Sequence, residues 1–264
     1  MNIGVVGLGR LGTELVKQGC LPISYRLGDN KLLSVVNEYD CIINAAAYTD
    51  VDGCEKDATR AIFDNAVHLY KLANCYYGKI VHVSTDFIFD GKNGPYTEQA
   101  DPNPLGIYGA TKLFGEKAIF LRGQNDDLIV RTTVLFDTQK RNFVSTIRSL
   151  LCDGTQITLP INLTGNPTYV PHLAQAILYA IKNGHSGIRN IAGRTILSRY
   201  HLGLAIADCF ELDRRLLNPI RYNGLPIRPL NAGLVMGDEY PMMLELLETL
   251  AIYKKELKEM GEIE

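Results

Sequence analysis

The chain has 264 residues, of which 46% are hydrophobic and 21% charged, as expected for a globular protein with one large domain or a core and an appendage. Its formal net charge of −2 gives no electrostatic case for binding nucleic acid. Met1 runs directly into an apolar strand pattern, and no apolar run reaches membrane-spanning length. The sequence therefore predicts a cytoplasmic protein that does not bind a membrane.

The cysteines and histidines give no sign of a metal site. None of the six cysteines forms a Cys-x-x-Cys pair, and the five histidines lack ligand spacing. Most of the cysteines fall inside apparent strands or helices, which is typical of reduced thiols in a core. We therefore predict that the protein holds no metal.

The chain opens with a strand, a glycine turn and a helix. The apolar run Asn2–Gly7 leads into glycines at G-x-G-x-x-G spacing, and the helical pattern TELVKQ follows. Glycines let the backbone turn tightly and approach a pyrophosphate, whose charge the helix N-terminus favours. A tight turn without a ligand is the alternative. The turn residues predicted to contact a dinucleotide cofactor are Gly7, Gly9, Arg10, Leu11 and Gly12.

The next unit is too short for a full Rossmann half. Leu21–Tyr25 is predicted to be the second strand and Lys31–Tyr39 a single helix. About thirty residues separate Gly12 from Asn44, whereas each βαβ unit normally takes about 30 or more. One strand or helix of the usual set is therefore expected to be missing.

The end of the second strand bears on the choice of cofactor. No acidic residue stands clearly there to accept the ribose 2′-hydroxyl. Arg10 in the glycine turn and Arg26 after the strand could instead meet a 2′-phosphate, although surface arginines are an equal alternative. The sequence thus favours NADPH slightly over NADH.

The third strand, Asp40–Ala45, ends in small residues. Asn44, Ala45 and Ala46 fall at its carboxyl end, where open α/β sheets bind ligands. Small side chains at this position permit a cofactor to approach the backbone closely.

A long helix is predicted from Cys54 to Tyr77. Asp52 and Glu55 have the spacing of a capping box at its start, and Gly78 follows its end. A stripe of small and apolar side chains runs along it. We expect this stripe to face the core or a second copy of the chain, which would make a homodimer.

The central stretch combines a buried strand with three groups suited to proton transfer. Ile80–Ser84 is apolar and β-branched, so Thr85 falls at the ligand-binding end of the sheet. Tyr108 and Lys112 are four residues apart, near the start of a helix predicted at about Thr111–Leu121. A neighbouring ammonium lowers a phenol pKa from about 10, which makes a usable acid near neutral pH. Together the three groups would protonate an alkoxide formed by hydride attack.

A further strand is predicted at Asp127–Thr133, and its carboxyl end should adjoin the substrate. Arg131 could contact a diphosphate there, or it could form a structural ion pair.

The later predicted elements are helix Phe143–Leu151, a helix with Pro171 in its first turn and Gly184 after it, strand Gly187–Ala192, helix Arg199–Phe210 capped by Ser198, a loop over Leu217–Leu234 and a helix from about Pro241 to Met260.

Six segments together resemble the dTDP-4-dehydrorhamnose reductase family of the extended short-chain dehydrogenase/reductases, also called the sugar-nucleotide-binding reductases. They span nearly the whole chain: Asn44–Glu55, Val83–Glu98, Pro104–Glu116, Ile129–Phe136, Thr164–Ile177 and Arg228–Asn231. By this resemblance Thr85, Tyr108 and Lys112 are the catalytic triad. The glycine turn is one residue shorter than the G-x-x-G-x-x-G that the extended reductases usually carry.

The resemblance also implies ligand contacts. The predicted cofactor contacts beyond the glycine turn are Asn44, Ala45, Ala46, Ala47, Tyr48, Tyr108 and Lys112. The predicted substrate contacts are Thr85, Asp86, Phe87, Arg131, Asn166 and Arg228.

The predicted fold is α/β: a doubly wound parallel (Rossmann) sheet, shortened at its second βα unit, with a small discontinuous substrate lobe. The NAD(P)-binding core is expected over residues 1–150, with 169–193 returning to it, and the lobe over 151–168 and 194–264. The resemblance implies an enzyme that uses NADPH or NADH to reduce the 4-keto group of a nucleotide-diphosphate 4-keto-6-deoxyhexose, in dTDP-rhamnose or related deoxysugar synthesis.

A non-catalytic alternative comes from the same fold. The chain could be a nucleotide-binding regulatory subunit resembling that of methionine adenosyltransferase. The shortened cofactor segment favours this alternative, and the intact triad argues against it.

The residues after Thr85 separate reduction from dehydration. The similar sugar-nucleotide 4,6-dehydratases place an acid–base Asp–Glu pair directly after this threonine. Here Asp86 is followed by Phe87, which cannot transfer a proton, whereas eliminating water needs both an acid and a base. The reductase family commonly has tyrosine at this position, so phenylalanine keeps the aromatic wall and drops one hydroxyl. The sequence therefore predicts reduction.

Overall fold

The computed structural model of the chain describes residues 1–139, 141–223 and 227–263. The strands of its central sheet are β1 Ile3–Val6, β2 Leu21–Ile23, β3 Cys41–Asn44, β4 Lys79–Thr85, β5 Leu128–Thr132 and, in chain-order numbering, β10 Gly187–Asn190. Three short pairs lie outside the sheet: β6 Leu135–Phe136 with β9 Thr168–Tyr169, β8 Thr164–Gly165 with β11 Leu197–Ser198, and β7 Ile157–Pro160 with β12 Leu217–Ile220.

The helices cover both faces of the sheet and form most of the second lobe. They are α1 Arg10–Lys17, α2 Asn30–Val35, α3 Val51–Lys56, α4 Ala58–Ile62, α5 His68–Cys75, α6 Ile107–Leu121, α7 Phe143–Cys152, α8 Val170–Lys182, α9 Arg199–Cys209 and α10 Leu246–Glu259. A π-helical turn, Phe63–Val67, joins α4 to α5. No helix in the described ranges has both the length and the apolar character needed to cross a bilayer.

The sheet has six parallel strands in the order β10-β5-β4-β3-β1-β2. The chain changes its direction of growth between β1 and β3, and the carboxyl ends of these strands open the crevice where such sheets bind ligands. Among the described residues no strand lies outside β2, although the full doubly wound order 3-2-1-4-5-6 has one there. The prediction of a Rossmann sheet shortened at its second βα unit is confirmed.

The sheet separates two hydrophobic layers because successive side chains of a strand point to opposite faces. Val5 and Val81 pack with the apolar sides of α1 and α8. Their neighbours Val6 and Ile80 pack on the other face with residues of α2, α5 and α6. Burial on both faces explains why the central strands read as continuous apolar runs.

A third hydrophobic cluster forms the second lobe. It joins α7, α9 and α10 to the parallel pair β7 and β12, with Leu151, Leu159, Leu217 and Tyr253 among its buried members. The sequence did not predict this pair of strands, because each is short and interrupted by proline.

The predicted long helix from Cys54 to Tyr77 is wrong. The backbone leaves helical geometry at Asp57, whose side chain accepts a hydrogen bond from Arg60 N at 3.0 Å and so begins a new helix, α4. The π-helical turn then interrupts the helix a second time. Three local segments therefore stand where the apolar stripe predicted one.

The predicted capping box of this region is also wrong. Asp50 rather than Asp52 caps α3, accepting from Gly53 N at 3.0 Å. Glu55 instead reaches the first amide of α6, that of Ile107, at 2.6 Å. The carboxylate expected to close its own helix thus caps a different one.

Other boundaries follow the sequence more closely. Ser198 caps α9 by accepting from His201 N at 3.2 Å, and α8 has Pro171 in its first turn, as predicted. The catalytic helix begins earlier than expected, so Tyr108 lies in its first turn, whereas the last helix begins later, at Leu246. Residues 224–226 of the predicted loop over 217–234 lie outside the described residues.

The cysteines are free thiols. The predicted core position is confirmed for Cys20, Cys41 and Cys54, which are buried. Cys75 and Cys152 are exposed, so the prediction is wrong for these two.

Candidate active site

A cavity of about 440 Å³, the catalytic cavity, contains all three predicted catalytic groups. Thr85 ends β4, and Tyr108 and Lys112 come from the first two turns of α6. Gly9 of the glycine turn lines the same cavity. The other predicted site residues that line it are Arg10, Leu11, Ala45, Ala47, Asp86 and Phe87.

Side chains from other elements fix the start of the catalytic helix. No side chain of its own N-cap closes α6, but Glu55 accepts from its first amide. Asn65 Nδ2 donates to the Thr111 hydroxyl at 3.1 Å and to the Tyr48 carbonyl at 3.1 Å. Asn65 thereby ties α6 to the loop that follows β3.

Burial raises the pKa of Tyr108 above its ordinary value of 10.0, and a hydrogen bond with Thr85 opposes this only in part. The predicted lowering of that pKa by Lys112 is wrong, because the ammonium is turned toward the backbone of β4. A phenol with a raised pKa keeps its proton at neutral pH. Such a phenol can act as an acid once a stronger base forms beside it.

The Lys112 ammonium lies at the bottom of the catalytic cavity, next to two groups of β4. Its Nζ donates to the Val83 carbonyl at 2.7 Å and lies 3.3 Å from His82 Nε2. Burial lowers the pKa of Lys112 from 10.5 to about 8, with the charge of Glu116 opposing the shift. Burial and the Lys112 charge also lower the pKa of His82 well below its ordinary 6.5. At pH 7 the imidazole is therefore neutral and the lysine mostly charged.

Asn44 sets the orientation of the His82 ring. Asn44 Oδ1 accepts from Ala46 N at 3.1 Å, so its Nδ2 faces His82 Nδ1 at 3.1 Å. His82 Nδ1 is then the acceptor, and the ring hydrogen is on Nε2, facing Lys112. A neutral N–H so placed disfavours the charged lysine, in the same direction as burial.

Asp86 is a buried carboxyl group in the wall of the catalytic cavity. Thr85 Oγ1 donates to its Oδ1 at 3.0 Å, and Thr133 Oγ1 donates to its Oδ2 at 2.6 Å. Burial raises the pKa of Asp86 from 3.8 to about 6, although both hydrogen bonds and the charge of Arg199 favour the ionised form. Since Thr85 has one hydroxyl hydrogen, it can donate to a keto oxygen only after it releases Asp86.

Two arginines of the second lobe complete the electrostatics. Arg199, the first residue of α9, lines the catalytic cavity and stacks over the Phe143 ring at 5.1 Å. Burial lowers the pKa of Arg199, the charge of Asp86 opposes this shift, and the charge of Arg228 adds to it. Arg228, a predicted substrate contact, donates to Asp52 at 2.9 Å. The sequence did not single out Arg199 because nothing in its pattern shows where the start of α9 points.

Two predicted substrate contacts are wrong. Arg131 is buried, and its Nε and Nη2 donate to the two carboxylate oxygens of Glu116 at 3.1 and 2.8 Å. This is the structural ion pair that the sequence left open. Asn166 is also buried and holds the backbone of Leu234, donating to its carbonyl at 3.1 Å and accepting from its amide at 2.8 Å. Neither residue lines the catalytic cavity.

Three predicted cofactor contacts support the groove rather than line it. A Cβ on Gly12 would lie 2.1 Å from the Gly7 carbonyl oxygen, so this glycine lets α1 pack against the turn. Asn44 is buried beneath the cavity, and Tyr48 packs its ring under Arg60 at 4.1 Å. These positions argue against side-chain contacts of Asn44 and Tyr48 with the cofactor, whereas the backbone amide of Gly12, in the first turn of α1, stays a predicted contact.

A second cavity, the edge cavity, has a volume of about 290 Å³ and lies beside β2. It is lined by Gly7, Leu8, Ile23, Ser24, Tyr25, Arg26, Leu27, Ala46, Ala47 and Asp64. Ala47 also lines the catalytic cavity, so the two cavities form one groove across the crevice.

The groove has the features that a dinucleotide requires. Gly7 has a φ of 91°, and a Cβ there would lie 2.4 Å from Ala46 N, whereas a Cβ on Gly9 would meet open space. No side chain caps α1, so its first amides can receive a diphosphate. The buried hydroxyls of Ser84 and Thr132 line the catalytic cavity without a protein partner. A polar ligand would satisfy them.

The two arginines considered for a 2′-phosphate lie at different ends of this groove. Arg26 lines the edge cavity. Arg10 lines the catalytic cavity, where its Nη1 donates to Asp137 at 2.7 Å and its Nη2 to the Arg141 carbonyl at 3.0 Å. The 2′-phosphate prediction is therefore wrong for Arg10 and stays a prediction for Arg26.

His82, Thr133 and Arg199 are functional candidates that the sequence analysis missed. His82 could have been found as a lone imidazole inside an apolar strand, two residues from Ser84 and on the same face. Thr133 follows β5 at the same edge of the sheet at which Thr85 ends β4. Arg199 carries no comparable signal.

A shortened Rossmann sheet with a glycine turn at its crevice and a Thr–Tyr–Lys set beside it defines a short-chain dehydrogenase/reductase type of protein. Residues 27–260 match the RmlD substrate binding domain family. The chain belongs to that family, which confirms the resemblance seen in the sequence.

Individual relatives agree with this membership. The dTDP-4-dehydrorhamnose reductase of Mycobacterium tuberculosis is 32% identical over 196 residues, which cover 70% of this chain and 64% of the relative. The matched part thus spans less than two thirds of that relative's length. The structure of dTDP-4-dehydrorhamnose reductase from Bacillus anthracis in complex with NADP gives a TM-score of 0.88 at 26% identity and covers 97% of this chain and 100% of that one. Methionine adenosyltransferase 2 subunit beta of Xenopus tropicalis is 31% identical over 195 residues, 68% of this chain and 57% of that protein.

Proposed function

We propose that the chain is an NAD(P)H-dependent reductase of the 4-keto group of a nucleotide-diphosphate 4-keto-6-deoxyhexose, with dTDP-4-dehydrorhamnose as its substrate. One observation carries the proposal: Thr85, Tyr108 and Lys112 converge in a cavity that also contains the glycine turn. The choice of substrate rests on the relatives that are named dTDP-4-dehydrorhamnose reductase.

The groove provides the groups to hold the cofactor. Gly9 and the first amides of α1 would receive its diphosphate, and Arg26 a 2′-phosphate in the edge cavity. Ala45 and Ala47 leave space for the nicotinamide end in the catalytic cavity. When bound, the reduced nicotinamide supplies the hydride that turns the keto group into an alkoxide.

The protein's own residues then manage one proton. Tyr108 keeps its phenolic proton at neutral pH because burial raises its pKa, and it donates that proton to the alkoxide oxygen. The ammonium of Lys112 would stabilise the phenolate that remains, because opposite charges at short range favour each other. Thr85 turns its hydroxyl from Asp86 to the keto oxygen and so orients it.

The substrate diphosphate has cationic partners at the cavity. Arg199 lines the cavity, and the positive charge of Arg228 lies close enough to disfavour the charged form of Arg199. A bound diphosphate would relieve this repulsion, and guanidinium groups match phosphate geometry. Phe87 packs edge-on against Tyr108 at a centroid distance of 5.6 Å and offers no proton, so the cavity suits reduction rather than loss of water.

The test is turnover with dTDP-4-dehydrorhamnose. Loss of NADPH absorbance should match the amount of reduced sugar nucleotide formed, and dTDP alone should inhibit. Binding of NADPH without any turnover would exclude the reductase proposal.

A second candidate has one specific observation in its favour, the similarity to methionine adenosyltransferase 2 subunit beta. In that case the chain would bind a catalytic partner and would turn over no sugar nucleotide. Formation of a complex with a methionine adenosyltransferase catalytic subunit, together with absent reduction, would select this candidate.

We also propose the assembly of the molecule. The sequence places the nucleotide-binding core at residues 1–150 with 169–193 and the substrate lobe at the rest. Because α7 packs in the lobe cluster, we move the first boundary to just before Phe143. Exposed aromatic side chains on α5 and α6, namely Tyr70, Phe114 and Phe120, favour a homodimer. From the sequence we further propose that the protein is cytoplasmic and binds no nucleic acid.

A further inference from the structure

The wall of the edge cavity is built differently from that of a full Rossmann half. β2 is the outermost strand among the described residues, so no neighbouring strand can contribute to the cavity beside it. The loop after β2 forms one side, and Asp64 of the π-helical turn is the most distant residue in sequence that reaches the lining. The loop packs onto the helix, since a Cβ on Gly28 would lie 2.6 Å from the His68 ring.

The π-helical turn directs two successive side chains to different tasks. Asn65 points inward and holds the Tyr48 backbone and Thr111 of the catalytic helix. Asp64 points to the edge cavity. Because Asn65 is anchored on both sides, the position of Asp64 is fixed by the fold. Single π-helical turns within α-helices are frequent at functional sites.

Among the described residues, one oxygen of the Asp64 carboxylate has no hydrogen-bond donor. Its Oδ2 lies 3.3 Å from Arg60 Nε. Its Oδ1 has His68 Nδ1 as its nearest described basic group, at 3.7 Å, which is too long for a hydrogen bond. His68 Nδ1 is itself buried without a hydrogen-bond partner. The lining of the edge cavity contains no other carboxylate among the described residues.

The remaining lining restricts what a ligand can present to Asp64. Leu8, Ile23 and Leu27 supply apolar surface for a flat ring, and Arg26 supplies the positive charge. A carboxylate only accepts hydrogen bonds, so it requires a donor on the ring. Adenine has such a donor in its exocyclic amine, whereas a purine with a carbonyl oxygen at the same position would turn lone pairs toward the carboxylate.

We propose that Asp64 accepts a hydrogen bond from the exocyclic amine of the cofactor's adenine and thereby selects adenine in the edge cavity. The inference rests on the proposed function, since it takes the ligand of the groove to be NADPH or NADH. No strand lies outside β2 among the described residues to contact the adenine, and the proposal assigns this contact to Asp64 of the helical layer.

The experiment compares NADPH with nicotinamide hypoxanthine dinucleotide phosphate, which carries a carbonyl oxygen in place of the amine. Dissociation constants for both are measured by cofactor fluorescence without substrate. The wild-type protein should bind NADPH about tenfold more tightly than the analogue, the size of one hydrogen bond to a charged group. In Asp64→Ala the two constants should agree within about twofold, because the base-specific contact is gone.

Two further variants keep the test decisive. Asp64→Asn retains an acceptor oxygen and should keep part of the preference for NADPH. Glu38→Ala removes the same charge from an exposed residue outside the cavity and should keep the whole preference. If Asp64→Ala fails to fold, the preference for NADPH over the analogue is compared between Asp64→Asn and Glu38→Ala. A smaller preference in Asp64→Asn supports the proposal, and an equal preference overturns it.

The outcomes are distinguishable from one another. An unchanged preference for NADPH in Asp64→Ala would overturn the inference and leave the reductase proposal intact. Equal tightening of both cofactors in that variant would overturn it as well, since it would mean that Asp64 only repels the cofactor phosphates. A wild-type protein that binds neither cofactor would overturn both proposals.

Discussion

The two ends of the groove are built in opposite ways, although one cofactor is proposed to fill both. At the catalytic cavity, buried hydrogen bonds join side chains from neighbouring strands and their ends: Asn44 of β3 with His82 of β4, and Thr133 after β5 with Asp86 after β4. At the edge cavity, a loop after the outermost strand carries Arg26, which is exposed. In the part of the chain that the structure describes, the edge end lacks the strand that a full doubly wound sheet has outside β2.

The difference indicates which part of the fold tolerates shortening. A buried group such as Lys112 depends on partners from several elements, so removing any of them leaves a charge or a donor unsatisfied. Loop residues at a sheet edge lie in water and lose little when a neighbour is absent. Substitutions at the catalytic cavity should therefore alter either chemistry or stability strongly, and those at the edge cavity should alter affinity alone.

The largest effect is expected for Tyr108→Phe. Removing the proton donor should lower kcat by about 10² to 10⁴-fold, the usual contribution of general acid–base catalysis. NADPH affinity and the free energy of unfolding should stay near those of the wild type, because the ring and its contact with Phe87 remain. Steady-state kinetics and a fluorescence titration provide the comparison. Wild-type turnover in this variant would remove Tyr108 from the mechanism.

The buried pair between Arg131 and Glu116 should show the next largest effect, on stability. Glu116→Gln or Arg131→Met should each lower the free energy of unfolding by about 3 to 5 kcal/mol, because either leaves a buried charge unpaired. The double variant should lose less than the sum of the two. Urea unfolding measures all three. A raised KM with unchanged stability would restore Arg131 to the substrate site.

Asp86 should make the stability of the catalytic end depend on pH. Burial raises its pKa in the folded state to about 6 from 3.8, so its ionisation opposes folding. Its contribution is fully present below pH 3.8 and is lost as the pH rises through about 6. Between pH 4 and 7 the wild type should lose about 2 kcal/mol of unfolding free energy relative to Asp86→Asn.

Asp90 provides a control of opposite sign for that measurement. Hydrogen bonds from the Lys92 amide, Tyr96 and Asn103 lower its pKa, so its contribution should be lost as the pH falls. Urea unfolding of wild type and Asp90→Asn should therefore differ little between pH 4 and 7, and the reverse trend should appear as the pH falls below 3.8. A flat difference between wild type and Asp86→Asn would contradict the burial of an ionisable Asp86.

The edge cavity should give the smallest effect. Arg26→Ala is expected to weaken NADPH binding about tenfold and to leave NADH binding within about twofold, because only NADPH carries the 2′-phosphate. Arg10→Ala is the matched control and should leave the NADPH to NADH ratio unchanged, since Arg10 pairs with Asp137 at the other end. A ratio that moves in Arg10→Ala but not in Arg26→Ala would reverse this assignment.

The sequence predicted the parts of the molecule that depend on local pattern. Apolar runs and the glycine turn were sufficient for the sheet and its short second unit, and Thr85, Tyr108 and Lys112 were found because each follows a recognisable element. Polar residues that lie at the right strand end but turn away, such as Arg131, could not be distinguished from ligand contacts. Only the fold shows that Glu116 on α6 is within reach of that arginine.

The failures in the long helix have a similar cause. An apolar stripe predicts which face of a segment is buried, but it does not reveal a break at Asp57 or a π-helical turn after Ile62. Those breaks depend on caps and contacts with α6, which are tertiary. They also placed Asp64 on the edge cavity, a position that no spacing in the sequence indicates.

Mass spectrometry of the sugar nucleotide tests the central claim most directly. With NADPH and dTDP-4-dehydrorhamnose, the product should be heavier than the substrate by two hydrogens, and one product molecule should form for each NADPH oxidised. With dTDP-glucose and NAD⁺ or NADP⁺ the sugar mass should not change, because Phe87 stands where a dehydratase needs a second proton-transfer group. Loss of one water from dTDP-glucose, without consumption of NADPH by the keto sugar, would contradict the account.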